Sequence, residues 1–333
     1  MDLRSLRYFV AVVDVGSLTR AAGTLYVAQP ALTAQIKRLE AEFGVQLLER
    51  SRSGVAPTQA GLQLYHEATR LLAEADALRA RVGKPPGEPE GSVAMAFPVL
   101  LVPTLLGEVL LRVRERHPRV RVHVIDDVSL ETESAVREGR ADFGLLVDAP
   151  QVAGLSAHPV VTESMYFSGI DRGGAVRALL RRPPARARRR PGPDGDPTIR
   201  FADAARQPLV MQSRRFVIRR QAQQAAAEAG VTLNVVHEHD SANAIRALSR
   251  IGAGFTFTPA CAAFRAGGDP ATVRARVVEP EILRAYSIAW LTGRRLSDAA
   301  LAVVGVLRDE IGAAIATGRW AARHVDRRDV PIG

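Results

Sequence analysis

Gln29, Pro30, Thr33, Ala34 and Lys37 recur at intervals of one, three and four, so a helix through them gathers all five on one face. Gln29 suits two-bonded contact with an adenine edge, and Thr33 can bond a base edge or pack on a thymine methyl. Lys37 can reach a phosphate or a guanine. Pro30 fits a first helical turn, where its missing N–H costs nothing. These side chains are short or hydrogen-bonding and sit at the start of a helix, where a recognition helix meets base edges. The chemistry they imply is the reading of a DNA major groove rather than the making of bonds.

Such a face must be held by a buried one, and Leu32, Ile36, Leu39 and Phe43 supply it at spacings of 4, 3 and 4. Upstream, Leu6, Phe9, Val10 and Val13 form the apolar stripe of a first helix. Gly16-Ser17 ends it, and Ser17 can cap a second helix that turns Leu18, Ala21, Ala22 and Leu25 inward. The two alanines leave room for another helix to cross closely. Downstream, Gln46–Arg50 and Val55–Thr58 read as short strands around Ser51-Arg52-Ser53-Gly54, a wing whose Arg50 and Arg52 are placed for phosphate or minor groove. Periodicity alone would equally describe a three-helix bundle with a polar outer face.

The text itself is more specific. Leu6-Arg7-Tyr8-Phe9, Gly16-Ser17-Leu18-Thr19-Arg20-Ala21-Ala22, Gln29-Pro30-Ala31-Leu32-Thr33, Ile36-Lys37-Arg38-Leu39-Glu40, Leu47-Leu48-Glu49-Arg50 and Pro57-Thr58-Gln59-Ala60-Gly61 resemble the LysR-type transcriptional regulators. The Gly54-Val55-Ala56-Pro57-Thr58 run looks most like the nitrogen-assimilation-control and sulfur-control group of that family. The resemblance implies a DNA-binding role for Gln29, Pro30, Thr33, Lys37, Arg50 and the wing, and it implies tetramers. Two residues depart from the pattern. Ala28 stands where the family usually has a Ser or Thr cap, a loss of about 1 kcal/mol. Ser53 stands where a second wing arginine is usual, with Arg52 one place earlier.

Bulk properties add bounds. A chain of 333 residues suggests two or three domains. Its 47% hydrophobic and 24% charged residues are an ordinary globular balance. No run of eighteen apolar residues predicts a transmembrane helix, and the start lacks the features of a signal peptide, so a cytoplasmic location is expected. The single Cys261 excludes an internal disulfide and a cysteine-based zinc cluster. The net charge of +10 is a poor guide to DNA binding, because eight arginines and no acid lie within 172–190. Residues 1–60 hold seven basic and five acidic side chains. The arginine-rich stretch reads as a disordered Arg/Pro/Ala/Gly insertion between lobes, in preference to a basic arm on DNA.

After Thr58, a residue type suited to capping a helix, Leu64, Ala68, Leu71, Ala75, Leu78 and Val82 repeat at alternating 4 and 3, the seam of a two-stranded coiled coil. A helix packed on its own domain is the competing reading. Dimerisation is favoured, since paired half-sites demand a two-fold protein. Gly83 ends the helix, and Lys84–Gly91, rich in Pro and Gly, forms a hinge linker.

Beyond Gly91, strands and helices alternate twice: Val93–Phe97, Pro103–Arg116, Val120–Ile125, Thr132–Glu138 and Asp142–Val147, then Leu209–Gln212, Phe216–Ala229, Leu233–Glu238, Ala242–Arg250 and Gly254–Thr258. The expected fold is α/β: a winged helix-turn-helix, a linker helix and a two-lobed, periplasmic-binding-protein-like effector domain. The divisions are 1–58, 59–83, 84–91 and 92–312, with a tail over 313–333. Lobe I covers about 92–164 and 268–312, and lobe II about 165–267. Ligands of such sheets bind beyond the carboxyl ends of the strands. That rule nominates Phe97, Pro98, Val99, Ser129, Asp148, Gln212, Ser213, Arg214 and Thr258 as effector contacts.

No nucleophile–base arrangement, phosphate loop or HExxH motif speaks for an enzyme. His237 and His239 share one side of a strand, but no third metal ligand is nominated. Cys261, among alanines in a helix expected to be buried, is a weak redox candidate. No cofactor is expected. The expected partners are a double-stranded DNA operator, other copies in a homodimer or homotetramer, and RNA polymerase if the protein activates. The apolar Phe97-Pro98-Val99-Leu100 run, where the family often offers Ser or Thr, implies either a different small-molecule effector or a weak response to any. The alternative is a solute-binding or enzymatic α/β domain with a non-regulatory helical head.

Overall fold

The computed structural model describes residues 1–51, 54–82, 88–148, 153–183, 193–263 and 269–325. The head begins with α1 (Leu3–Val15), capped by the Asp2 carboxylate, which accepts from the Ser5 amide and hydroxyl. Then come α2 (Leu18–Leu25), capped by Ser17, and α3 (Gln29–Phe43). Phe9, Val12, Ala21, Leu32, Ile36 and Leu39 form its buried centre, so the stripe of α1 runs through Val12 while Val10 and Val13 are half-buried. Phe43, expected inside, is 44% exposed, because the helix outruns the core at its last turn.

Strands β1 (Leu48–Ser51) and β2 (Gly54–Pro57) form the antiparallel wing. Gly54, at φ 137°, brings the hairpin so near α1 that a Cβ would stand 2.7 Å from the Gly16 carbonyl oxygen. Helix α4 (Gln59–Val82) follows, with the Thr58 hydroxyl accepting from the Gly61 amide. Its start is tight against the wing base, and a Cβ on Gly61 would lie 2.0 Å from the Leu47 carbonyl oxygen.

The first lobe contains β3 (Gly91–Pro98), a short 3-10 turn and a π turn leading into α5 (Gly107–Arg116), then β4 (Val120–Asp127), α6 (Ser129–Arg137) and β5 (Phe143–Val147). β3 lies parallel between β4 and β5. The long β6 (Leu155–Ile170) crosses to the second lobe. That lobe holds α7 (Ala175–Leu179), β7 (Thr198–Arg200), α8 (Phe201–Ala205), β8 (Leu209–Met211), α9 (Val217–Glu228), β9 (Val235–Glu238), α10 (Ala242–Ile251), β10 (Thr256–Pro259) and β11 (Thr272–Val278). β12 (Leu283–Leu291) returns to the first lobe, pairing with β5 and with the first half of β6. The second half of β6 pairs with β10 and β11. The crossing strand β6 and the return from β11 to β12 therefore join two apolar cores.

Three expectations change here. Residues 272–278 belong to the second lobe's sheet, not to lobe I, because β11 pairs with β6 and β7. The stretch set aside as a tail is structural as far as 325. Helix α11 (Asp298–Ala316) leads to a fully buried Trp320 and to β13 (Ala322–His324), which pairs with β6. The described part of the arginine-rich stretch, 172–183, is also built into the second lobe. It forms α7, Arg181 bridges to Thr198 and pairs with Glu279 at 2.7 Å, and Arg177 donates to the Pro270 carbonyl. Residues 184–190 lie outside the described residues.

Candidate nucleic-acid interface and interlobe cleft

On α3, Gln29, Pro30, Ala34 and Lys37 are exposed and Thr33 is half-buried. Gln29 Nε2 donates to Thr33 Oγ1 at 3.1 Å, which pre-orients both side chains along the outer face. The helix enters from Ala28 in extended geometry without a side-chain cap, and Pro30 occupies the first turn. Its orientation is fixed from behind by Gln35 Nε2 donating to Ser5 Oγ at 2.8 Å, and Ser5 is itself held by Asp2. The same two Ser5 bonds hold the Asp2 carboxyl below its usual range.

Glu40 carries the alignment on to the wing, since its Oε1 accepts from the Leu47 and Leu48 amides at 3.0 and 3.2 Å. Arg50 lies in β1 opposite Val55. Arg52 lies outside the described residues. Tyr26, not among the residues nominated from sequence, is 96% exposed in left-handed backbone just before α3. A bulky aromatic in a three-residue turn, where small residues are usual, was the available signal.

The seam expected on α4 divides. Leu64 packs against the head's own core, and Ala68 is fully buried within the single chain. Tyr65 adds a bond to α1, its hydroxyl donating to Asp14 Oδ1 at 2.6 Å, and this bond raises the phenol pKa to about 12. Leu71 and Ala75 are half-buried. Leu78 and Val82 are helical, without described side chains. The first two seam positions thus serve the head, because α4 begins by packing across α1.

Between the lobes lies a cleft of about 550 Å³. Of the nominated residues, Pro98, Val99, Ser129, Asp148 and Gln212 line it. Phe97 does not, because the strand's alternation buries its ring in the first lobe's core. Thr258 is likewise buried in β10, opposite Tyr166. Ser213 acts on Asp240, and their hydrogen bond lowers the Asp240 pKa. Arg214 is exposed and off the lining. In its place stand Arg215, Phe216 and Arg220 from the start of α9, and Arg284 and Tyr286 from β12.

These groups are largely spent on one another. Arg215 pairs with Asp240 at 2.7 Å and lies 5.0 Å over the Phe216 ring. Asp148, at φ 49°, accepts from Arg284 Nε (3.2 Å), the Ala285 amide (2.8 Å) and Gln221 Nε2 of α9 (3.1 Å), linking the lobes. Beneath, the fully buried Glu163 of β6 accepts from Trp320 Nε1 (2.7 Å), the Cys261 amide (2.8 Å) and the Tyr286 hydroxyl. Burial pushes its pKa up, against the pull of Arg284 and these donors. Cys261 lies in a turn after β10, not a helix, and burial beside Glu163 drives its thiol pKa far up, the reverse of an activated thiol. Glu238, between the two histidines, is paired with Arg219 at 2.9 Å. Among the described residues no group of three or more His, Cys, Asp or Glu side chains could hold a metal ion.

The cleft wall carries five carboxylates (Asp127, Glu131, Glu133, Asp148, Asp240) against three arginines (Arg215, Arg220, Arg284). Such a wall favours a cationic or donor-rich occupant over a simple anion.

Two family models match the chain. Residues 3–62 match the bacterial regulatory helix-turn-helix protein, lysR family, and residues 86–168 and 185–312 match the LysR substrate binding domain. The nitrogen assimilation regulatory protein nac of Klebsiella aerogenes is 35% identical over 170 residues, 51% of this chain and 56% of that protein. The chain thus spans little more than half the length of that relative. A full-length OxyR variant from Pseudomonas aeruginosa superposes with TM-score 0.71 at 21% identity, covering 99% of both chains. Full-length CbnR, solved with its target DNA, gives 0.62 at 24% identity, covering 93% of this chain and all of the other. At these identities the two structures speak for the fold alone. No described helix is long and apolar enough to cross a membrane. With one family match on the head and the other across both lobes, the chain belongs to the LysR family of bacterial regulatory helix-turn-helix proteins.

Proposed function

We propose that this chain is a sequence-specific transcriptional regulator that lays α3 in the major groove of double-stranded DNA and answers to a small molecule in the interlobe cleft. The observation that carries this is the α3 outer face. Gln29 and Lys37 stand exposed there, with Thr33 half-buried, on a helix braced from behind by Ser5, Gln35 and Glu40. Hydrogen-bonding groups kept in solvent on a rigid helix are what groove readout requires. The solved CbnR complex with its target DNA, on the same fold, adds support.

The working form is a homodimer or homotetramer, since paired half-sites need a two-fold reader. The later part of α4, from Leu71 onward, would carry the pairing. RNA polymerase is a partner where the regulator activates, and the site of action is the cytoplasm, with the chromosome. No role in this reading calls for catalysis. The cleft's acidic excess supports an effector bearing an amine or several hydrogen-bond donors, with Asp148, Ser129 and Gln212 as contacts.

Footprinting the DNA upstream of the protein's own gene tests the proposal. Protection of two half-sites about one helical turn or a multiple apart is expected. Binding that responds to salt but protects no particular sequence would overturn it.

A further inference from the structure

A second cavity, of about 790 Å³, lies between the lobes at a different place from the cleft. The first lobe contributes the start of α5 with Thr104, together with Arg319 beyond α11. The second contributes Ile170, the turn at Cys261, and Arg246 and Arg250 of α10. The volume lies within the range that holds metabolite-sized ligands. Its charge is opposite to the cleft's: three arginines face two acids, Glu108 and Asp269.

The arginines are not equivalent. Arg319 pairs with Glu310 at 3.5 Å and donates to the Thr104 carbonyl. Asp269 lies 3.8 Å from Arg172. Arg246 is half-buried and has no hydrogen bond or carboxylate partner among the described residues. Burial lowers the Arg246 pKa, and Arg250, exposed one helical turn away with an interaction of its own, adds like-charge repulsion. A half-buried guanidinium beside a like charge is unfavourable until something negative joins it. The wall around it is apolar: Val102, Leu105, Ile170 and Ala262.

The geometry points to a second ligand site, in which Arg246 and Arg250 bind the phosphate or carboxylate head of a small organic anion while its body rests on the apolar wall. An anion held there touches both lobes, so its binding favours one interlobe arrangement. The site is separate from the DNA-facing helix and from the cleft, and it stands whether or not the cleft takes an effector.

Titration calorimetry of the full chain with inorganic phosphate and with succinate tests it. Saturable binding is expected for at least one probe, weakened about tenfold or more in Arg246→Gln/Arg250→Gln, as for lost charge-assisted hydrogen bonds. Arg246→Lys, which keeps the charge, should retain most of the affinity. Arg215→Gln, in the cleft, should leave it within about twofold. Amide exchange should slow in α10 on addition of the bound probe. The inference is overturned if neither probe saturates by about 10 mM. It also fails if the double variant binds like the parent, or if Arg215→Gln abolishes binding instead.

Discussion

On the α3 face Gln29 and Lys37 stand in solvent, and a bond on that face runs from Gln29 to the half-buried Thr33. In the cleft Asp148 alone holds three partners from two lobes, while Arg215 and Asp240 hold each other. A face that must meet an outside partner leaves its donors unspent and is braced from behind. A cleft between two lobes spends its charges on fixing the angle between them, and a ligand there must replace bonds already made. Changes on α3 should therefore alter binding while sparing stability, and changes at Asp148 should do the reverse.

The largest break is Asp148→Ala. It strips Arg284, 3% exposed, of its carboxylate partner at 3.2 Å and cuts the link to α9. We expect a loss of about 3 kcal/mol in chemical unfolding of the effector domain, with the head's DNA affinity retained. Gly61→Ala tests the head in turn. Its new methyl group would collide with the Leu47 carbonyl, so a loss of about 2 kcal/mol and reduced affinity for every DNA sequence are expected.

Ala28→Ser works in the opposite direction. It supplies the cap that α3 lacks and should stabilise the head by about 1 kcal/mol with base preference unchanged, read from thermal melts and DNA titrations.

The smallest effect concerns Tyr65. Its folded pKa of about 12 exceeds the usual value of about 10, so the bond to Asp14 contributes fully below pH 10 and is lost as pH rises through 12. Melts of the parent should show that alkaline loss, and Tyr65→Phe should lack it.

The same contrast explains what could be read from sequence. The contact face and core of α3 lie within fifteen residues, so helical spacing alone separates Gln29, Thr33 and Lys37 from Leu32, Ile36 and Leu39. The cleft is assembled from segments that meet only in three dimensions. The strand-end rule reached Pro98, Val99, Ser129, Asp148 and Gln212, but it had no means of nominating Arg284 or Tyr286, which arrive on the returning β12. It also chose the wrong side of the pleat at Phe97 and Thr258, since one residue's shift along a strand exchanges core for surface. The crossing role of β6, the buried Glu163 and the Trp320 anchor left no local periodicity to detect. Nor did composition show that Arg177 and Arg181 are tied into the second lobe, because a run of arginines looks the same paired or free.

Selection from a pool of randomised duplexes, run in parallel on the 333-residue chain and on Gln29→Ala and Thr33→Ala variants of equal thermal stability, tests the central claim most directly. The account predicts an inverted-repeat motif for the parent, with discrimination at one or two positions per half-site relaxed by about 1–3 kcal/mol in each variant. A motif unchanged by both substitutions, or no enriched motif for the parent, would contradict it.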